Sequence, residues 1–211
     1  MVLKRWFDEA ARARVAEAVR AAEAGSRGQV VPVVVARSDA HPEARLRGAL
    51  LGAAVITAAL LLSPLPVTLG DLPAAQVAGA LLGWALTWLA PVERLLVGRQ
   101  HLEQEVRERA MRAFHEHGLH HTAEGTGVLI FASLLERQAV VLGDHGIHAR
   151  VGDAEWQATV DALVAGLKRG APVDGFVEAI ARCGARLAEH FPRGGAPPEN
   201  ELPDAITLDR G

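Results

Sequence analysis

The chain has 211 residues, half of them hydrophobic but only 4% aromatic, with a net charge of -3. That length suits one ordinary domain with extra segments. The weakly acidic balance argues against a general nucleic-acid binder, because phosphate-tracking proteins are basic, and the lone Cys183 excludes an internal disulfide framework.

The N-terminal stretch MVLKRWFDEAARAR lacks the apolar core of a secretory signal. Asp8 can cap a helix reaching about Ala24, with Val15, Val19 and Ala22 on one face and Gly25 ending it. The run QVVPVVVA at 29–36 is β-branched and apolar, hence a strand. Pro32 lacks a donor there, which predicts an edge position or a local irregularity.

Two charge-free runs follow, Gly48–Gly70 and Leu72–Val92, separated only by Asp71. Helices over Leu46–Ser63 and Pro73–Ala90 would each span roughly 27 Å, close to the roughly 30 Å of a bilayer core. Pro64 and Pro66 stop the first helix, TLGD reverses the chain, and Pro73 suits the first turn of the second. The pairs Gly48/Gly52 and Gly79/Gly83 have the spacing at which helix backbones approach closely. Trp88 falls where an aromatic belt would sit. Arg37, Arg45, Arg47, Arg94 and Arg99 flank the hairpin, and only Asp71 occupies its turn. The positive-inside rule then puts both chain ends of a two-pass protein in the cytoplasm. The competing reading is a hairpin buried in a soluble protein or at a subunit interface.

Beyond the hairpin, Glu103–His117 reads as a helix with Val106, Ala110, Ala113 and Phe114 inward, and Gly118 as its stop. TGVLIFAS at 126–133 is a strand covered on both faces, and QAVVLG at 138–143 returns as a hairpin. Asp153 opens a helix as its N-cap, with Trp156, Val160, Leu163 and Leu167 in register and Gly170 closing it. A last helix from about Val173 to His190 lines up Val173, Phe176, Ile180, Cys183 and Leu187, which makes Cys183 a small core residue. Residues 193–211 are rich in Pro and Gly, acidic, and read as a flexible tail.

The string TGVLIFASLLERQAVVLGDHGIHARVGDAEW, with GAPVDGFVEAI and LAEHFP after it, resembles the TPM domain family. The resemblance covers roughly residues 7–37 and 103–192. VVPVVVARSDAHPEARLRGA leading into an apolar hairpin, with NELPD in the tail, is similar to a bacterial subgroup whose TPM domain carries an inserted membrane hairpin. That resemblance implies that the membrane is a bacterial inner membrane. The family's usual Asn-Gly before the strand is here Thr126-Gly127. The resemblance implies an α/β fold, a three-layer αβα sandwich with a small mixed sheet. Here it would be divided into residues 1–45 and 93–192 around a transmembrane hairpin at 46–92, with the tail at 193–211. It also implies a range of activities, since some members are acid phosphatases, some bind calcium, and several assemble or maintain membrane complexes.

The strand directions predict one crowded rim. The histidine-rich HEHGLHHTAEG precedes strand 126–133, and strand 138–143 returns to the same end with Asp144, His145 and His148. Glu124, Asp144 and Asp153 are candidate carboxylate ligands for calcium, which takes six to eight oxygens. His117, His121 and His145 are further rim candidates. His115 and His117 lie roughly 200° apart around a helix and cannot share an ion while helical. The plainer reading is that histidines in a last turn complement the helix dipole, and that Asp144 before His-Gly is turn chemistry. Arg137 reads as a solvated turn residue.

No G-x-S-x-G, P-loop, CxxC or HExxH occurs. The leading expectation is a non-catalytic interaction or assembly module, anchored in the lipid bilayer, for a membrane or envelope protein. A calcium-dependent, acid phosphatase-like enzyme is the alternative, and a lipid-headgroup or small-anion sensor using helix N-termini is a third reading.

Overall fold

The computed structural model describes residues 2–64, 66, 68, 70–122, 124–148, 150–194 and 202–209. The chain divides into two compact units, Met1–Ser38 with Glu103–Gly211, and Asp39–Leu102.

The first unit is built on a four-stranded mixed sheet of β1 (Gln29–Val35), β2 (Gly127–Ser133), β3 (Gln138–Gly143) and β4 (Thr207–Asp209). Their order is β3-β2-β1-β4. β1 runs parallel to β2 and β4, while β2 and β3 form an antiparallel hairpin. Helices cover both faces. On one, Val30, Val34, Val128, Ile130 and Ala132 pack with α1 (Val2–Trp6), α2 (Glu9–Glu23), α8 (Asp153–Arg169) and α9 (Pro172–His190). On the other, Val31, Val33, Val35, Leu129 and Phe131 meet α6 (Arg99–Glu116) through Val106, Ala110, Ala113 and Phe114. Side chains alternate across a strand, so β1 and β2 must be apolar at every position once both faces are covered. Each fully buried Leu, Ile or Phe contributes about 1.5–3 kcal/mol. Asp8 caps α2, its Oδ1 accepting from the Ala11 amide at 2.8 Å.

Two expectations change. β1 is an internal strand, not an edge strand. Its even-numbered amides point away from β2. That of Ala36 donates to Asp209 O, and that of Val30 to Glu23 Oε1 at 2.8 Å. Pro32 shares this side, and β4 reaches only Val33–Val35. Its missing donor therefore faces a stretch where no strand requires one. The tail also returns to the sheet. Thr207–Asp209 pair with β1, Ile206 is buried, Leu202 packs on the α6 side, and Arg109 pairs with Asp209. A three-residue strand is too short to show a periodic signal.

The second unit contains α3 (Pro42–Leu62), α4 (Asp71–Leu86), α5 (Ala90–Val97) and the first residues of α6. At the α3–α4 turn, the Thr68 amide and hydroxyl both donate to Asp71 Oδ2, at 2.9 and 2.7 Å. α3 and α4 meet through glycine. A Cβ on Gly79 would sit 2.6 Å from Gly52 O, and one on Gly48 would sit 2.8 Å from Gly83 O. α4 stops four residues before the predicted end at Ala90, and α5 departs from it at 102°. Pro91 explains the break: in a continuous helix its ring would collide with the carbonyl of Thr87. The Thr87 hydroxyl instead donates to Trp84 O at 2.6 Å.

Candidate functional site

β2 begins and β3 ends at one edge of the sheet, where the α6 C-terminus also arrives. Gly118 takes φ 68 there, the left-handed conformation that ends a helix. A 3-10 turn, Leu119–His121, follows and buries Leu119 against Gly127. The turn gathers imidazoles: His115 and His120 have ring centroids 5.0 Å apart, and His120 and His121 3.8 Å. His120 is held below the usual histidine range by partial loss of water around the ring, then by the two neighbouring imidazoles, while Asp144 pulls it upward. His117 is half-buried, and His121 and His145 are exposed.

Asp144 follows β3 and is only 8% exposed. Its amide donates to Gly127 O at 2.9 Å, and its Oδ1 accepts the His145 amide at 2.7 Å. The second oxygen, Oδ2, is buried and has no hydrogen-bond partner among the described residues. A carboxylate oxygen out of water without a donor is costly, so this atom is the rim's outstanding chemical demand. The short helix α7 (His145–His148) starts beside it. Gly146 lies against the backbone of 124–125, where a Cβ would come within 2.7 Å of the Glu124 and Gly125 carbonyls. Gly125 itself has φ 63 and lies under the His145 ring.

The other candidate ligands are placed differently. Glu124 forms an ion pair with Arg27, Oε2 to Nη1 at 2.8 Å. Asp153 is the first residue of α8, and Gly152, not Asp153, is the N-cap. Asp153's side chain and that of His148 lie outside the described residues. Among the described residues, no three ligand atoms of the rim's His, Asp and Glu come within 4.8 Å of one another. Among the described residues, the rim offers a cation Asp144 Oδ2, and Glu124 does not close around it. Gly48, Gly52, Gly79 and Gly83 all lie where α3 meets α4.

Two acids, one buried and one half-buried, escaped the sequence reading. Glu136, in the β2–β3 turn, is 4% exposed; its Oε1 accepts the Ser38 amide at 2.9 Å and its Oε2 the Ser133 hydroxyl. The neighbouring Arg137 takes φ 54, so the turn points Glu136 inward. Glu23 borders a pocket of about 290 Å³ with Arg20, Ser26, Gln29, Arg193 and Asp204. Burial and then the Asp204 charge push its carboxyl up to about 7, against the pull of the Val30 amide. In sequence, each acid looks like an ordinary surface charge.

The family model of the TPM domain matches residues 92–186. No curated protein matches the chain. Among solved structures, the chain is similar to the NMR structure of the BA42 protein from the psychrophilic bacterium Bizionia argentinensis, with a TM-score of 0.61 and 20% identity over 96% of this chain and 95% of that one. That likeness is one of fold.

Proposed function

We propose that this chain, which carries a TPM domain over residues 92–186, is a bilayer-anchored module whose sandwich unit binds or helps assemble another membrane or envelope protein without catalysis. One observation supports the anchor above all. α3 is a 21-residue apolar helix, and only 6% of its most apolar stretch is buried. A core helix of a soluble protein would be covered. Leu50, Val55, Leu61, Leu62, Val77 and Leu82 all stand exposed on α3 and α4, and contiguous exposed apolar surface marks a membrane or partner contact. In the proposed topology the hairpin crosses twice, with the termini and the sandwich in the cytoplasm of a bacterial inner membrane.

The non-catalytic reading draws on how the acids are used. Glu124 is held by Arg27, Glu136 by Ser133 and Ser38, and Asp144 Oδ1 by the His145 amide. These contacts stiffen turns. Alkaline carbonate extraction tests the anchor: the chain should stay with the membrane pellet, and its release would overturn the reading. Cysteine labelling at position 71 from the periplasmic side tests the topology. Purification in mild detergent should bring down a reproducible membrane protein, and its absence would count against the module.

A second reading is favoured by the orphan Asp144 Oδ2: a calcium-assisted phosphatase with Asp144 as one ligand and Glu124 and Asp153 recruited on binding. When bound, the ion would neutralise phosphate charge. Calorimetric titration with calcium, repeated on Asp144→Asn, is the test. Heat lost in the variant, with calcium-stimulated phosphoester hydrolysis, would favour the enzyme, and a flat titration would retire it.

A further inference from the structure

α5 buries Val97 and half-buries Val92 and Leu96, yet one of its faces is inverted for a helix in water. It buries Glu93 and leaves Arg94 half-buried, while Leu95 stands 81% exposed. Pro91 and Leu95, four residues apart on one face of α5, are exposed, and so is Trp88 just ahead of the helix, at 66%. Leu89 adds to the same apolar surface. An exposed apolar face beside a buried acid suits a helix with an apolar medium on that side.

The elbow fixes where that medium ends. Thr87, the last residue before the bend, packs its methyl against Gly48, the first residue of the charge-free run on α3. One turn above Gly48, the Arg45 guanidinium sits 5.4 Å from the Trp88 ring centroid. Arg47 reaches over the end of α5 and donates to Leu96 O at 2.5 Å and Val97 O at 3.2 Å. The bend thus lies at the level where apolar surface gives way to guanidinium groups. Trp84 and Trp88 pack edge to face at that level. Tryptophan and arginine together suit the layer in which acyl chains meet lipid phosphates. α5 leaves α4 at 102°, so when α4 stands along the bilayer normal, α5 lies in the plane.

We infer that α5 is an in-plane interfacial helix, resting its Pro91–Leu95 face, with Trp88 beside it, on the acyl chains at the headgroup boundary of a phospholipid bilayer. This rests on the reading of α3 and α4 as membrane-spanning. It gives the hairpin a stop: α4 cannot slide deeper without dragging α5 and its Arg94 into hydrocarbon. The occupant of the face is phospholipid, because the strip is continuous with the exposed apolar surface of α4 and the cations beside it complement phosphate.

Depth-resolved quenching tests this on the full chain. Leu95→Cys and, in the middle of α4, Leu81→Cys each carry an environment-sensitive fluorophore. Both side chains are exposed, so neither change disturbs packing. Native Cys183 is fully buried with its thiol pushed far up by desolvation, so it stays unlabelled. The protein is reconstituted in phosphatidylcholine–phosphatidylglycerol vesicles containing lipids brominated at shallow or deep positions. The Leu81 label should be quenched best by deep bromine. The Leu95 label should be quenched best by shallow bromine, at about 5–10 Å below the headgroups, and iodide should quench neither strongly. Strong iodide quenching at position 95 alone, or a depth equal to that at position 81, overturns the interfacial helix and leaves the spans standing. Strong iodide quenching at position 81 overturns the spans, and the proposal with them.

Discussion

A close backbone approach in the second unit yields a sharp test. At Gly79, a Cβ would lie 2.6 Å from both Gly52 O and Ile56 Cγ2, where ordinary contact begins at 3.4 Å. The helices must therefore separate by roughly 0.8 Å to admit even alanine, and a backbone carbonyl cannot rotate out of the way. Alanine recovers about 1 kcal/mol of helix propensity over glycine, which masks part of this cost. Leucine does not hide it. Overpacking at the upper end of its range costs about 3 kcal/mol, and after the propensity gain Gly79→Leu should lose about 2 kcal/mol, roughly a thirtyfold fall in the closed-to-open ratio. The assay is titration of the full chain from mild into denaturing detergent, following Trp84 and Trp88 fluorescence with Trp6 and Trp156 replaced by Phe. Ala78→Leu, one residue away on the exposed face, is the control and should stay within about 0.5 kcal/mol of the parent. If Gly79→Leu opens at the same point as Ala78→Leu, the glycine contact does not hold the hairpin.

Glu23 predicts a pH effect. Its folded pKa of about 7 exceeds the 4.5 of the unfolded chain, so the folded state holds the proton more tightly between those values. The stability this brings is fully present below 4.5 and lost as pH rises through 7. With the group partly open to solvent, the loss should be about 1–2 kcal/mol. Glu23→Gln keeps an acceptor for the Val30 amide and removes the charge beside Asp204. It should melt with the parent at pH 5 and above it at pH 8, and an equal offset at both pH values would refute the assignment. At the rim, Gly146→Ala would press a methyl onto two carbonyls at 2.7 Å. It should cost about 1–3 kcal/mol and speed hydrogen exchange at the Asp144 amide, and unchanged protection there would show that the 124–125 backbone yields freely.

What the sequence disclosed follows from the range of the forces involved. β1 and β2 were legible because burial on both faces demands unbroken apolar runs, and Asp8 because a cap acts across three residues. The position of β1 in the sheet was not, because its second neighbour is β4, more than 170 residues away along the chain. The elbow was written in Pro91 but obscured by hydropathy, which runs smoothly through it. Rim histidines could be placed at one edge from strand direction alone. Whether their neighbours close on an ion depends on partners that local sequence does not name, such as Arg27 for Glu124. Glu136 shows the converse: a charge in a four-residue turn looks solvated until the turn's left-handed Arg137 directs it to Ser133 and Ser38.

The family match begins at residue 92, although the sheet also contains β1 at Gln29–Val35. Residues 39–102 separate β1 from the rest of the domain, yet all seven β1 residues keep their parallel register with β2, from Gln29↔Gly127 to Val35↔Ser133. Such a crossover tolerates a long insert when the insert closes on itself, and this one does. Ala44 near its start packs with Val97 and Leu102 near its end, and Arg47 ties α3 to the last carbonyls of α5. The entropy of joining β1 to β2 is then that of a short connection, and each doubling of loop length would add only about 0.6 kcal/mol. Replacing residues 40–98 with a ten-residue Gly/Ser linker should therefore leave a folded sandwich that stays in solution without detergent. It should show cooperative thermal unfolding and protected amides in β1 and β2. Loss of that protection would mean that β1 depends on the hairpin for its place in the sheet, and that the two units are not energetically separable.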